Sequence, residues 1–280
     1  MEPAAPERTT SSARVRAVSA TGTAERLEAL VGEEPLEIRV RGRGQEPVSV
    51  AVTMRTPGCE EELAVGFLVS EGLLLPGEPL RVAFGDPARM AQPENEATVH
   101  LERPFDAAAV ASRNFIASAS CGICGKATLD GVAAQCDPLP PGPRVARSVI
   151  LALPSAMRAA QKVFERTGGL HAAALFDVDG TLLALREDVG RHNAVDKLVG
   201  RMALAGALPL HDRVMMVSGR LSYEIVQKAA VAGVPILVAV SAPSDLAVDT
   251  ARRVGMTLIG FLRGETFNVY TGEERIDLGP

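Results

Sequence analysis

The first clear periodicity lies in residues 35–56, where LEIRVRGR and VSVAVTMR alternate apolar and polar side chains with the period of two expected of half-buried strands. Pro57-Gly58 stops that run, and Glu60, Glu61 and Glu62 load the next segment with the negative charge that suits a helix N-terminus. Leu63, Phe67 and Leu74 recur near helical spacing until Gly72 and Pro76 interrupt it. Residues 80–102 read as further strands around a polar, proline-containing loop, and the prolines between Asp137 and Pro143 predict an extended or turning stretch.

From Pro154 the period lengthens. Met157, Ala160 and Phe164 mark a helix that Gly168-Gly169 closes, and AAALF, DVDG and TLLAL read as strand, turn and strand. Asn193 with Asp196 resembles a capping box, followed by the apolar stripe Val195, Leu198, Val199 and Met202. A regular alternation follows: strand VMMV, a helix from Ser222 to Ala232, strand PILVAV, a helix from Asp245 to Val254, strand MTLIGFL and a last strand FNVYT. Apolar strands alternating with amphipathic helices predict an α/β fold, a mainly parallel sheet covered on both faces. The expected organisation is a disordered tail over residues 1–20, a smaller α+β region over 21–113 and an α/β domain over 114–280.

Composition narrows the partners. The chain has 280 residues, 47% of them hydrophobic and 22% charged, with a net charge of -5, so no global basic field recruits nucleic acid. Without Trp and with two Tyr, a base-stacking platform is not expected. The longest apolar stretch, near Val231 to Val240, is broken by Gly233 and Pro235 and falls short of the roughly 20 residues of a membrane span. The first residues contain no apolar run that would form a signal-peptide core, and few cysteines suit a reducing compartment, so the expected location is the cytoplasm, away from membranes.

Two thiols stand close together, Cys121 and Cys124 in SASCGICGK, with glycines that give a mobile backbone. Thiols at this spacing can share a disulfide, hold half a metal site, or pass sulfur or electrons. Cys59 and Cys136 are isolated, which argues against a four-thiolate zinc site and suggests partly buried structural cysteines. No metal site is expected.

Three predicted strands end in small or basic loops: Ser218-Gly219-Arg220, Ser241-Ala242-Pro243-Ser244 and Arg263-Gly264-Glu265. Loops beyond the carboxyl ends of such strands, where helices begin, attract anions. With Gly190, Arg191 and His192 before another helix, they predict a phosphate- or nucleotide-bearing ligand contacted by Arg191, His192, Arg220 and Arg263. Each loop alone is better read as an ordinary serine-capped connection, and it is the convergence of several that brings the ligand reading level with it. His171 beside an apolar strand reads as a packed residue, and His100 and His211 as surface residues.

Two other chemistries can be set aside. FDVDGTLL matches the start of haloacid-dehalogenase-type phosphatases, with Asp177 as nucleophile, but Asp179-Gly180 between apolar runs is a strong hairpin turn and no later acidic pair would hold magnesium. A zinc deaminase needs a glutamate two residues after its His and a later Cys-x-x-Cys. Here Ala172 and Ala173 follow His171, and the thiol pair precedes it.

Taken together, TPGCEEELAVGFLVSEGLL, SASCGICGKATLD, TGGLHAAAL, REDVGRHNAVDKLVG, SGRLSYEIVQKAA, SAPSDLAV and GFLRGETFNVYTG resemble the FdhD family, sulfur carriers required for formate dehydrogenase activity, from residue 35 to 272. The resemblance implies a cytidine-deaminase-like three-layer domain over residues 114–280, without deaminase activity. It implies a homodimer, a sulfurtransferase that takes sulfur from a cysteine desulfurase and delivers it to molybdenum bis(molybdopterin guanine dinucleotide) for formate dehydrogenase. The persulfide-bearing thiol maps onto Cys121 and the second onto Cys124, and the family's cofactor-binding stretch maps onto Phe261, Leu262, Arg263, Gly264, Glu265 and Thr266. With these go the strand-end residues Arg191, His192, Ser218, Gly219, Arg220 and Ser241. The alternative is a cofactor-binding or insertion chaperone whose thiols only sense redox state. A dithiol oxidoreductase is disfavoured, because CGIC lacks the aromatic residue before the first Cys and the Pro before the second that thioredoxin-like enzymes commonly show.

Overall fold

A computed structural model describes residues 7–75, 77–108 and 138–279. The chain opens with a hairpin, β1 (Thr10–Ser19) and β2 (Gly22–Val31), in unbroken register from Thr10↔Val31 to Ser19↔Gly22. The expected disordered tail therefore does not hold for residues 10–19. Alternation there is masked by charge, and cross-strand pairing rather than a buried face defines the strand. Next come β3 (Glu34–Arg41) and β4 (Val48–Arg55), helix α1 (Glu60–Ser70), β5 (Leu80–Phe84) and β6 (Glu96–Leu101). The four strands form a sheet in the order β4-β3-β6-β5.

The second half runs through β7 (Val145–Ala146), α2 (Arg147–Ala160), α3 (Lys162–Thr167), β8 (His171–Phe176), β9 (Leu182–Asp188) and α4 (Arg191–Leu204). It continues with β10 (Val214–Val217), α5 (Tyr223–Val231), β11 (Ile236–Ala239), α6 (Asp245–Val254), β12 (Thr257–Arg263), β13 (Thr266–Thr271) and β14 (Ile276–Asp277). Six strands make one sheet in the order β13-β12-β11-β10-β8-β9. The α/β class holds, with parallel pairing confined to the centre, β10-β11-β12, and antiparallel pairs on both flanks. The hairpins β8–β9 and β12–β13 are what supply those flanks; the Asp177–Gly180 turn, with Gly180 at φ +82°, closes the first.

Strand alternation sends side chains to two buried layers. Ala173, Leu175, Met215, Val217 and Leu237 meet α4, α5 and α6 on one face, while Ala174, Phe176, Val214, Met216 and Ile236 meet Ile150, Leu153 and Met157 of α2 on the other. That second contact explains why α2 starts seven residues before Pro154. The proline removes one backbone bond, but Ile150, Leu153 and Met157 form a continuous buried stripe across it. The expected capping box also fails: Gly190 is the N-cap of α4, and both Asn193 and Asp196 are buried and engaged elsewhere.

The division near residue 113 falls in residues 109–137, outside the described residues. Either side of it, Leu36, Ile38 and Leu63 share one buried cluster with Val195, Leu198 and Met215. None of the described helices is long and apolar enough to cross a membrane.

Helices α1 and α4 join the two halves at a backbone-to-backbone crossing. A Cβ on Gly66 would lie 1.8 Å from Asp196 O, and one on Gly200 would lie 1.8 Å from Glu62 O. Alanine at either site must push the helices apart and strain the core they share. Gly66→Ala and Gly200→Ala are each expected to destabilise the protein by about 1–3 kcal/mol in urea unfolding. Stability unchanged or raised, as alanine's roughly 1 kcal/mol helix propensity alone would give, would mean the crossing is not close-packed.

Candidate functional site

The sheet topology gathers five strand ends along one edge. Strands β10, β11 and β12 run parallel and finish at Val217, Ala239 and Arg263. Because β8 is antiparallel to β10, it starts at that edge with His171, and β9 returns to it with Asp188, the register partner of His171. The loops after β10 and β11 are tied by Leu221 N donating to Ala242 O at 3.1 Å and Ser244 N to Leu221 O at 2.9 Å. Ser218, Gly219, Ser241, Arg191 and His192 thus come to one edge, as the sequence predicts. Beside it opens a cleft of roughly 540 Å³ lined by Pro154, Met157, Phe164, His171, Ser218 and Val240, among others. His171, read from the sequence as a packed residue, is half-buried in its wall.

The polar groups of this edge divide into bound and free. Ser218 Oγ accepts from Ala172 N at 2.9 Å and is held in the sheet. A Cβ on Gly219 would lie 3.4 Å from His171 Nδ1 and 3.5 Å from the Arg191 side chain, so this loop runs directly beside both residues. Arg191 Nε is buried without a hydrogen-bond partner, a donor still to be satisfied. Arg220 is exposed. Ser222, the N-cap of α5, lies with its Oγ 3.5 Å from His192 Nε2, and Glu224 Oε2 is 3.9 Å from the same nitrogen.

Burial holds the His192 pKa down to about 3, helped by the positive charge of Lys228 and Arg191 and by His171. His171 is also lowered, by burial first and then by Arg191 and Arg220. Both rings are neutral near pH 7, so the histidines add no positive charge to that of the arginines at this edge.

The β12–β13 turn completes the arrangement. Phe261 is exposed with φ +54° and its N donates to Ser241 O at 3.1 Å. Arg263 is exposed; its Nε donates to Val240 O at 3.0 Å and its guanidinium lies 5.9 Å from the Phe261 ring. Gly264, Glu265 and Thr266 are exposed, and Thr266 Oγ1 donates to Arg263 O. Leu262 differs from its neighbours: its side chain is fully buried against Val238 and Ile259, so it braces the turn and offers a ligand backbone only.

Sequence reasoning missed the group that anchors the edge. Asp188 is fully buried and accepts four hydrogen bonds or ion-pair contacts: Thr56 N at 3.1 Å and Lys197 Nζ at 2.7 Å on Oδ2, Gly190 N at 2.8 Å and Asn193 Nδ2 at 3.0 Å on Oδ1. Lys197 Nζ also donates to Thr56 O at 2.8 Å. The signal was the density of charge in REDVGRHNAVDK among otherwise apolar positions. Cys121, Cys124 and Cys136 lie outside the described residues. Cys59 is exposed at the N-cap of α1 with φ +60°, a correction to its reading as partly buried. His211 is exposed as expected, whereas His100 is half-buried on β6.

The neutral His192 sets a pH dependence. Unfolding lets it take a proton below its ordinary pKa of about 6.5, which the fold refuses until about 3. Its effect is therefore absent above pH 6.5 and destabilises the fold progressively as pH falls through that window. Between pH 7.5 and 5 this group is expected to cost about 2 kcal/mol. Urea unfolding of His192→Gln should show a correspondingly smaller loss than wild type; equal losses would mean that the ring is protonated in the fold.

Comparison with known proteins agrees with this fold. The chain is 48% identical over 274 residues to the sulfur carrier protein FdhD of Nocardia farcinica, covering 96% of this chain and 95% of that one. It is 50% identical to that of Streptomyces avermitilis, covering 90% of each, and 49% identical to that of Mycobacterium tuberculosis, covering 94% of this chain and 97% of the other. The fold matches a crystal structure assigned as a formate dehydrogenase accessory protein from Desulfotalea psychrophila, with a TM-score of 0.73 at 24% identity over 96% of this chain and 99% of that chain. A profile of the FdhD/NarQ family matches residues 31–277, and the chain belongs to that family.

Proposed function

We propose that this chain is a cytoplasmic sulfurtransferase, a homodimer that accepts persulfide sulfur from a cysteine desulfurase and delivers it to molybdenum bis(molybdopterin guanine dinucleotide) for formate dehydrogenase. One observation carries the reading: near-half identity, over nine-tenths or more of the length, to proteins named as sulfur carriers, in a chain whose single close thiol pair is Cys121 and Cys124.

The strand-end edge supports the cofactor as cargo. A guanine dinucleotide brings phosphates, and the edge offers the unpaired Nε of Arg191 and the exposed residues Arg220 and Arg263. Arginine suits this role because its fork matches phosphate oxygens two at a time. The free N–H groups of α5, whose N-cap side chain makes no capping bond, add a partial positive charge. The exposed Phe261 ring gives the cargo a flat apolar neighbour beside these charges.

The chemistry falls to the thiols. The Cys121 thiolate attacks the outer sulfur of the desulfurase persulfide, the donor's S–S bond breaks, and the donor leaves as thiolate. Cys124 thiolate then attacks the inner sulfur of the Cys121 persulfide. A Cys121–Cys124 disulfide forms, hydrosulfide leaves toward the cofactor, and a dithiol reductant restores the pair. A free cysteine has a pKa near 8.5, so attack at neutral pH calls for a nearby cation, and Lys126 follows the pair by two residues in the sequence.

Intact-protein mass spectrometry after incubation with a cysteine desulfurase and cysteine tests the first step. Wild type should gain about one sulfur, ~32 Da, reversed by dithiothreitol, and Cys121→Ala should gain none. A wild type that gains nothing from a competent desulfurase would leave a cofactor-binding module instead. The second step is checked with Cys124→Ala, which should load sulfur yet fail to restore formate dehydrogenase activity; normal restoration would remove the disulfide step.

A further inference from the structure

The hairpin of β1 and β2 is held at its root and bare beyond it. Arg166 Nη2 donates to Thr10 Oγ1 at 3.2 Å and Gly32 N to Thr9 O at 2.8 Å. Gly169 lies so close to Val31 that a Cβ there would come 2.9 Å from Val31 Cγ2. From Ser11 to Leu27 every side chain is exposed or half-exposed, and among the described residues neither strand pairs with a third. A free two-stranded ribbon is marginal in water, and its open edges invite another chain. This one exposes Val18 at 75% and Leu27 at 72%, more than any other large apolar side chain described. It also lies outside the family profile, which begins at residue 31.

Charge and area identify the occupant. Val18 and Leu27 share a face with Arg14, Arg16 and Glu25, and each arginine lies 3.9 Å from the glutamate. A strongly acidic or strongly basic partner would meet repulsion from part of that face, whereas a second copy brings both signs. Ten residues per strand make a ribbon about 34 Å long and about 10 Å wide, roughly 340 Å² per face. Two arms touching only each other would bury about 700 Å², below the roughly 1,200 Å² of a specific interface. Two arms each laid on the other copy's body bury about 1,400 Å², which suffices.

We infer that the β1–β2 hairpin is a dimerisation arm, each copy laying its Val18–Leu27 face on the body of the second copy across a two-fold axis. This rests on the homodimer in the sulfur-carrier reading. It is tested on the full chain by light scattering during size exclusion and by hydrogen exchange at two protein concentrations. Wild type should show twice the 29.4 kDa chain mass, with amides of residues 11–29 gaining protection as concentration rises. Val18→Glu/Leu27→Glu should raise the dimer dissociation constant at least about tenfold with an unchanged circular dichroism spectrum, since both side chains stand clear of the core. A variant that dimerises as tightly as wild type, or arm amides indifferent to concentration in a dimeric wild type, would overturn the arm and leave the homodimer standing. A monomeric wild type would overturn both, and an arm protected only on adding desulfurase would assign that surface to a different protein. Sulfur loading on Cys121 reads out the carrier function separately from either result.

Discussion

The space denied to a Cβ at Gly66 and Gly200 fixes how closely α1 and α4 approach, and the strand-end edge inherits its geometry from that approach. Helix α1 follows directly from β4, so its position sets where the β4 end lies. That end delivers Thr56 N to Asp188 Oδ2 and Thr56 O to Lys197 Nζ. Asn193 reaches the same strand, its Nδ2 donating to Met54 O at 2.8 Å. The first turn of α4 is therefore clamped between its own sheet and the neighbouring one, with Arg191 and His192 starting from it.

Inside that clamp the charges are placed where desolvation is most costly. Asp188 with Lys197 and Asp196 with Lys228, the latter pair bidentate at 2.8 and 2.9 Å, are all buried. Removing Lys197 would leave the Asp188 carboxylate buried without its counter-ion, a loss of about 3–5 kcal/mol, whereas an apolar pair of similar volume is often as stable. What the ionic version contributes is register. A carboxylate with four converging donors accepts one arrangement of β4, β9 and α4, while an apolar contact would tolerate sliding. Arg186 forking onto Glu62, Nη2 to Oε1 at 2.7 Å, repeats the device one turn away across the same seam.

Local chemistry made most of the elements legible from the residues. Period-two alternation marked β3 and β4, Asp179-Gly180 marked the β8–β9 turn, and the strand-helix alternation after Val214 appears almost residue for residue. Where reading failed, a tertiary contact outweighed a local preference. The helical period was read only from Pro154 onward, but burial of Ile150, Leu153 and Met157 carries α2 across that proline from Arg147. Asn193 looked like a cap because its spacing to Asp196 is that of a capping box, but both side chains had partners distant in sequence, Met54 and Lys228. The strand-end loops were recognisable singly; that His171 and Asp188 join them follows from the reversal of β8 against β10, which no run of residues announces.

That antiparallel flank also decides the electrostatics. A purely parallel sheet would gather only loops that follow strands. Reversing β8 brings a strand's beginning to the same edge, and with it a histidine held among Arg191, Arg220 and His192. In a chain of net charge -5, attraction of an anion must be local, and three arginines supply it within one edge. A protonated histidine would add attraction but would also repel those arginines and cost solvation in a half-buried wall. Burial settles the contest for the neutral ring, which keeps a nitrogen lone pair that an imidazolium lacks. The edge thereby combines fixed positive charge with neutral nitrogen acceptors, a pairing that suits the phosphates and donor groups of the proposed cargo.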